Sequence, residues 1–169
     1  MSNLSPTKKG LITGVLMIAS SIGIFFAKGN FQNSLQYVTY CLYIAGILWT
    51  LIDFKRRNNF IKFKDFFSEG FKCFVVVTLL MVVFTFAFLL LNPQIKVERL
   101  AFIKEEMVKT KMLTPGEINS RIDMERKFFI PGSVMGAVFG YLLIGVVFTV
   151  ITAGFLWQKK NDVGLRIIK

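Results

Sequence analysis

Histidine is absent from the 169 residues, and cysteine and proline are scarce, at two and four. The first absence removes imidazole as acid, base or metal ligand. Two cysteines make no disulfide framework: Cys41 falls inside an apolar run and Cys73 at the mouth of another, and both read as packing residues. Carboxylates are few as well, ten against 21 Lys and Arg. None of the long apolar runs holds a carboxylate, Lys or Arg in its interior. Intramembrane charges are the usual mark of proton relays and ion paths, so proton-coupled transport is not expected. Glycine-rich phosphate loops are missing too, the 13 glycines being spread mainly through apolar segments. No internal repeat or low-complexity tract breaks the chain.

What the sequence does hold is apolar length. It is 54% hydrophobic with a mean hydropathy of +0.58 and 19 phenylalanines, more than a soluble core needs. The excess gathers in four blocks at about 10–27, 35–52, 73–91 and 131–157. Each is long enough to cross a hydrocarbon layer of about 30 Å at 1.5 Å per residue. The expectation is an all-α polytopic membrane protein, one integral domain over residues 1–169 with four transmembrane helices. The first block, preceded by Lys8 and Lys9, resembles a signal peptide. It is too long, and a charge at Lys28 stands where a cleavage site wants small residues, so an uncleaved span is expected.

The net charge of +11 lies in short segments beside the apolar blocks, where anionic lipid headgroups account for it and nucleic acid is not expected. The segment Asp53–Lys72 carries six Lys and Arg against three acids and should face the cytoplasm. Alternation then places both termini inside. On that assignment the inner segments hold twelve Lys and Arg with four acids, and the outer ones nine with six. Tyr37 and Tyr40 near one end of the second block, with Trp49 near the other, fit two headgroup levels.

Within this basic segment Phe60, Phe63, Phe67, Phe71 and Phe74 recur at helical steps, while Lys62, Lys64, Asp65, Glu69 and Lys72 fall between them. The pattern predicts a cytoplasmic amphipathic helix before span 3, lying along the interface or offering a docking face to a protein partner. Asn92-Pro93 should end span 3. A polar stretch at about 94–128 then reads as an extracytoplasmic helical hairpin between spans 3 and 4, either a recognition surface or a cap on the bundle. Its second helix should start at Pro115, where Thr114 and Glu117 form a capping box. In the last block Gly132, Gly136 and Gly140 fall four apart, and Gly145, Thr149 and Ala153 repeat the step on another line. Such spacing permits close backbone approach, within the bundle or across a homodimer seam.

Candidate chemistry is thin. Glu105, Glu106, Asp123 and Glu125 each have Lys or Arg within helical reach, which describes a solvated salt-bridge face better than a hydrolytic site. Ser20, Ser21, Tyr141 and Thr149 are the polar groups of the spans that a membrane-embedded lipid enzyme would have to bring together. No catalytic, metal or cofactor-binding residue is assigned.

The phrase FIKFKDFFSEGFK (60–72), the Asn92-Pro93 stop, the TPGEI helix start (114–118) and the ending ITAGFLWQKKN (151–161) together resemble a family of small bacterial four-span membrane proteins catalogued as a domain of unknown function. The resemblance implies this architecture and a bacterial inner-membrane location, and no activity or catalytic residues. It also carries an association with genes for polyprenyl-phosphate sugar transferases. The expected role is a non-enzymatic scaffold or accessory subunit of a membrane complex, one form of it anchoring a lipid-phosphate sugar transferase through the basic segment. The alternative is a small-solute or lipid transporter or channel, as a homo-oligomer.

Overall fold

A computed structural model describes residues 4–28, 36–58, 62–110 and 114–167. Its elements are five helices: α1 (Pro6–Lys28), α2 (Gln36–Arg57), α3 (Phe63–Leu91), α4 (Pro93–Thr110) and α5 (Pro115–Ile167). All but α4 are long and apolar enough to cross a membrane, as a multi-pass membrane protein requires.

Helix boundaries follow local chemistry. Ser5 opens α1, its carbonyl accepting from the Lys9 N–H at 3.1 Å and its hydroxyl from the Lys8 N–H at 3.3 Å, with proline at the first helical position. At the end of α3 the Asn92 side-chain amide and backbone N–H both donate to the Phe88 carbonyl, at 2.9 and 3.1 Å. Pro93 then starts α4. At the head of α5 the Thr114 backbone N–H and hydroxyl donate to Glu117 Oε2, each at 2.8 Å, and the Glu117 N–H donates back to Thr114 Oγ1 at 3.4 Å. Those two donors hold the Glu117 carboxyl below its ordinary range.

Two expected boundaries are absent. The Phe-rich segment is no separate interfacial element, because from Phe63 onward it forms the first turns of α3. The hairpin's second helix is likewise continuous with the last span in a 53-residue α5 that passes through Pro131. The first junction holds no turn sequence, and at the second the Pro131-Gly132 step is carried inside the helix, a break that membrane helices absorb by local adjustment.

The chain divides into two compact units, Met1–Met81 with Phe139–Lys169, and Val82–Val138. In the first, α1, α2, the first two-thirds of α3 and the end of α5 form a four-helix bundle around Met17, Tyr43, Ile47, Leu51, Phe74 and Val77. The buried stripe of α3 is Phe66, Gly70, Cys73, Phe74, Val77, Thr78 and Met81, one face of a helix. In the second unit Leu100 on α4, and Ile118 and Ile122 one turn apart on α5, are buried.

Glycines set the seams of the bundle. A methyl group at Gly10 would stand 2.7 Å from the Cys73 carbonyl oxygen and 3.2 Å from Val76 Cβ, so α1 lies against the α3 backbone. Gly46 on α2 abuts Thr13 on α1, and Gly70 on α3 abuts Thr149 on α5. At Gly145 on α5 an added Cβ would stand 2.7 Å from Phe74 Cγ and would also meet the Tyr43 hydroxyl. Small residues at such contacts let helices gain van der Waals packing where lipid supplies no hydrophobic drive.

Gly10→Ala is therefore expected to lower stability in detergent by about 1–3 kcal/mol, since the opposing carbonyl cannot step aside. Gly136→Ala, where a Cβ meets no described atom within 4 Å, should not lower it and should raise it by up to about 1 kcal/mol, the helix cost of glycine. Unfolding transitions of the two purified variants check the contrast.

Candidate functional site

At one end of the bundle, where α1 begins and α2 ends, sit the charges most deeply enclosed in the first unit. Lys9 lies one turn into α1, with its side chain 4% exposed, and its ammonium pairs with Asp53 Oδ2 on α2. Arg57, one turn further along α2, pairs with the same oxygen. The Lys9 Nζ also lies 5.7 Å from the centroid of the Trp49 ring, within reach of its π face. Phe54 on α2 and Phe66 on α3 meet edge to face at 5.7 Å.

Below this cluster the bundle is threaded with hydroxyls. Thr13 donates to the Lys9 carbonyl and Thr50 to the Gly46 carbonyl, both at 2.9 Å, the back-bonding that lets threonine sit inside a helix. Thr50 Oγ1 lies 3.3 Å from the buried Cys73 Sγ. Further along, the Tyr43 hydroxyl donates to the Tyr141 carbonyl at 2.9 Å, and their rings stand edge to face at 5.8 Å.

A cavity of about 240 Å³ opens beside the ion pairs, lined by Ser5, Lys9, Asp53, Arg57, Asn58 and Glu69 among others. Glu69 on α3 is held from the other side by Lys72 Nζ at 2.8 Å. The arrangement is a set of fixed charges of both signs on three helices, at the edge of the apolar core. Chemically it can hold and orient a polar group by charge-assisted hydrogen bonds.

Sequence reasoning placed neither Lys9 nor Asp53 in a site. Lys9 read as part of the polar lead and Asp53 as the first residue of the basic segment. The available signal was position: each lies within about a turn of an apolar block, where a charge is drawn into its helix if an opposite one lies in reach.

The residues that the sequence did single out fall elsewhere. Phe60 lies outside the described residues. Phe63 and Phe71 are exposed, Phe67 half-buried, and Lys62 and Lys64 exposed. The covered face of that segment is Phe66, Gly70, Cys73 and Phe74, so of the ring stripe read from the sequence Phe74 is buried and Phe63 and Phe71 face outward. Of the two small-residue lines on α5, Gly145, Thr149 and Ala153 are buried. A Cβ added at Gly132, Gly136 or Gly140 would meet no described atom within 4 Å. Ser21 and Thr149 are buried, Ser20 and Tyr141 half-buried, and no hydrogen bond links any two of them. Three of the four acids named from the sequence outside the apolar blocks pair with neighbouring cations: Lys109 bridges Glu105 at 2.9 Å and Glu106 at 3.5 Å, and Arg126 approaches Asp123 at 3.7 Å. The two carboxylates raise the Lys109 ammonium above its ordinary range. Among the described residues no group of three or more Cys, Asp or Glu is placed to hold a metal ion.

Asp53→Asn should cost about 1–3 kcal/mol of stability, because it leaves the enclosed Lys9 ammonium without its counter-charge. Lys9→Met should cost less, since Asp53 keeps Arg57. Melting of both variants and their double mutant in the same detergent measures the difference.

A family model described as "Protein of unknown function (DUF4199)" matches residues 8–157. No curated protein and no solved structure matches the chain.

Proposed function

The chain belongs to the DUF4199 family, and we propose that it is a non-enzymatic accessory subunit or scaffold of a bacterial inner-membrane complex. One observation carries this reading. On α4 and the first turns of α5, apolar side chains stand exposed among charges, some of which pair with one another. Val97 is 67% exposed, and Phe102, Val108 and Met124 are exposed as well, beside the Lys109 and Arg126 ion pairs. Aromatic and Met side chains amid paired charges make the mixed surface of a protein contact.

In this reading the basic segment between α2 and α3, with both termini, faces the cytoplasm, and α4 faces the other side. The inner end then offers Lys55, Arg56, Lys62 and Lys64 to anionic headgroups. It is also where a peripheral partner such as a lipid-phosphate sugar transferase would be anchored. A second reading, a small-solute or lipid transporter or channel built as a homo-oligomer, draws on the uncovered Gly132, Gly136 and Gly140.

A photo-crosslinking side chain at Val97 or Phe102 separates the two. A stoichiometric adduct with a different membrane protein, lost in Phe102→Glu, is the expected result. Adducts with a second copy alone, abolished by Gly136→Leu, favour the oligomer, and no adduct at either position removes the accessory-subunit reading. Orientation has its own measurement. A cysteine at Asn58 should stay unlabelled by a membrane-impermeant maleimide in intact cells and react once the membrane is opened, whereas labelling in intact cells inverts the arrangement.

A further inference from the structure

We propose that the cavity between the start of α1 and the end of α2 binds a zwitterionic phosphoryl-amine headgroup of the phosphoethanolamine type. The inference is independent of any protein partner.

Its walls are balanced in charge, with Lys9 and Arg57 against Asp53 and Glu69. A lone anion or a lone cation meets repulsion as well as attraction there. A ligand with a phosphate and an ammonium separated by two carbons meets a counter-charge at each end.

The walls also have valence to spare. Lys9 and Arg57 both converge on Asp53 Oδ2, and Lys72 takes Glu69 Oε1. Asp53 Oδ1 and Glu69 Oε2 have no partner among the described residues. The ammonium of Lys9 has three N–H groups and the guanidinium of Arg57 five, each using one on Asp53. Asn58 gives one of its two amide N–H groups to the Phe54 carbonyl at 3.1 Å and keeps the other. Donors for a phosphate and acceptors for an amine therefore line one space.

Size and depth agree. About 240 Å³ leaves room for a group the size of a phosphoethanolamine. The cavity lies where two membrane-crossing helices end, beside Trp49, at the level where amphipathic rings mark the headgroup region. Leu4 and Phe54 are among its lining residues and add apolar wall to the charged one. Acceptors that need N–H donors also discriminate: a trimethylammonium has none, so phosphocholine should be refused.

The test uses the full-length protein in mild detergent, exchanged with vesicles of equal phosphatidylethanolamine, phosphatidylcholine and phosphatidylglycerol and read by native mass spectrometry. Preferential retention of phosphatidylethanolamine is expected, falling about tenfold in Glu69→Gln and in Arg57→Gln. Equal retention of phosphatidylcholine, preferential retention of phosphatidylglycerol, or variants that retain as much as the parent would overturn the proposal. The contrast among lipids on the parent protein stands even if a variant fails to fold. Free glycerophosphoethanolamine separates the sources of the shared chemistry. Displacement of the lipid at millimolar concentration assigns the headgroup alone as the ligand, and no displacement with the lipid preference intact assigns the whole lipid.

Discussion

The first unit depends on glycine lying against a neighbouring helix at four of its contacts. Gly10 sets α1 on α3, Gly46 sets α2 on α1, Gly70 sets α3 on α5, and Gly145 sets α5 on α2. Two of these contacts are glycine against threonine, which pairs the smallest residue with one whose hydroxyl can be returned to its own helix, as Thr13 does. In lipid the greasy residues between helices gain little by leaving the acyl chains, so contact area and close backbone approach have to hold the helices together. Larger apolar side chains such as Leu79, Val83, Phe139 and Phe155 are accordingly exposed, on faces that a bilayer would solvate.

That constraint explains why some of the structure was legible in the sequence and some was not. Length and hydropathy found the apolar blocks, because crossing a hydrocarbon layer leaves a compositional mark on every residue involved. Asn92-Pro93 and Thr114-Pro115-Gly116-Glu117 found helix ends, because a cap is a local bond between residues a turn apart. Helix joins were illegible where no local chemistry opposes them. From Phe63 to Cys73 nothing stops a helix, and Gly70, which could suggest a break, serves instead to admit Thr149. Proline at 131 removes one backbone donor, a loss that membrane helices absorb by local adjustment.

Small-residue spacing shows the limit most clearly. The sequence offers two lines of small residues on α5, one through Gly132, Gly136 and Gly140 and one through Gly145, Thr149 and Ala153. Both satisfy the same rule, which describes what a helix permits and not what lies opposite. Only the second line is buried, and its partners, Tyr43, Gly70 and Phe74, lie more than 70 residues away in the chain. The Phe pattern misleads for a related reason. A repeat of bulky rings looks like one buried face in water, whereas here the covered face is Phe66, Gly70, Cys73 and Phe74, and Phe63 and Phe71 turn outward.

The enclosed ion pair also alters how the charge bias should be weighed. Lys9 enters the count of inner cations, yet its charge is paired with Asp53 inside the bundle and does not stand free in the loop as the cations of the basic segment do. Setting it aside leaves eleven inner Lys and Arg against nine outer ones, a narrow margin for a rule that gives acids little weight. Density is the stronger argument. Six cations fall within the twenty residues Asp53–Lys72, close to two helix ends, whereas eight of the outer nine are spread over Gln94–Lys127. Since the rule acts on charges within about 15–20 residues of a span, the short loop between α2 and α3 outweighs the longer polar segment residue for residue. The proposed orientation therefore rests on that loop, and the Lys9–Asp53 pair belongs to the packing of the bundle and the cavity beside it.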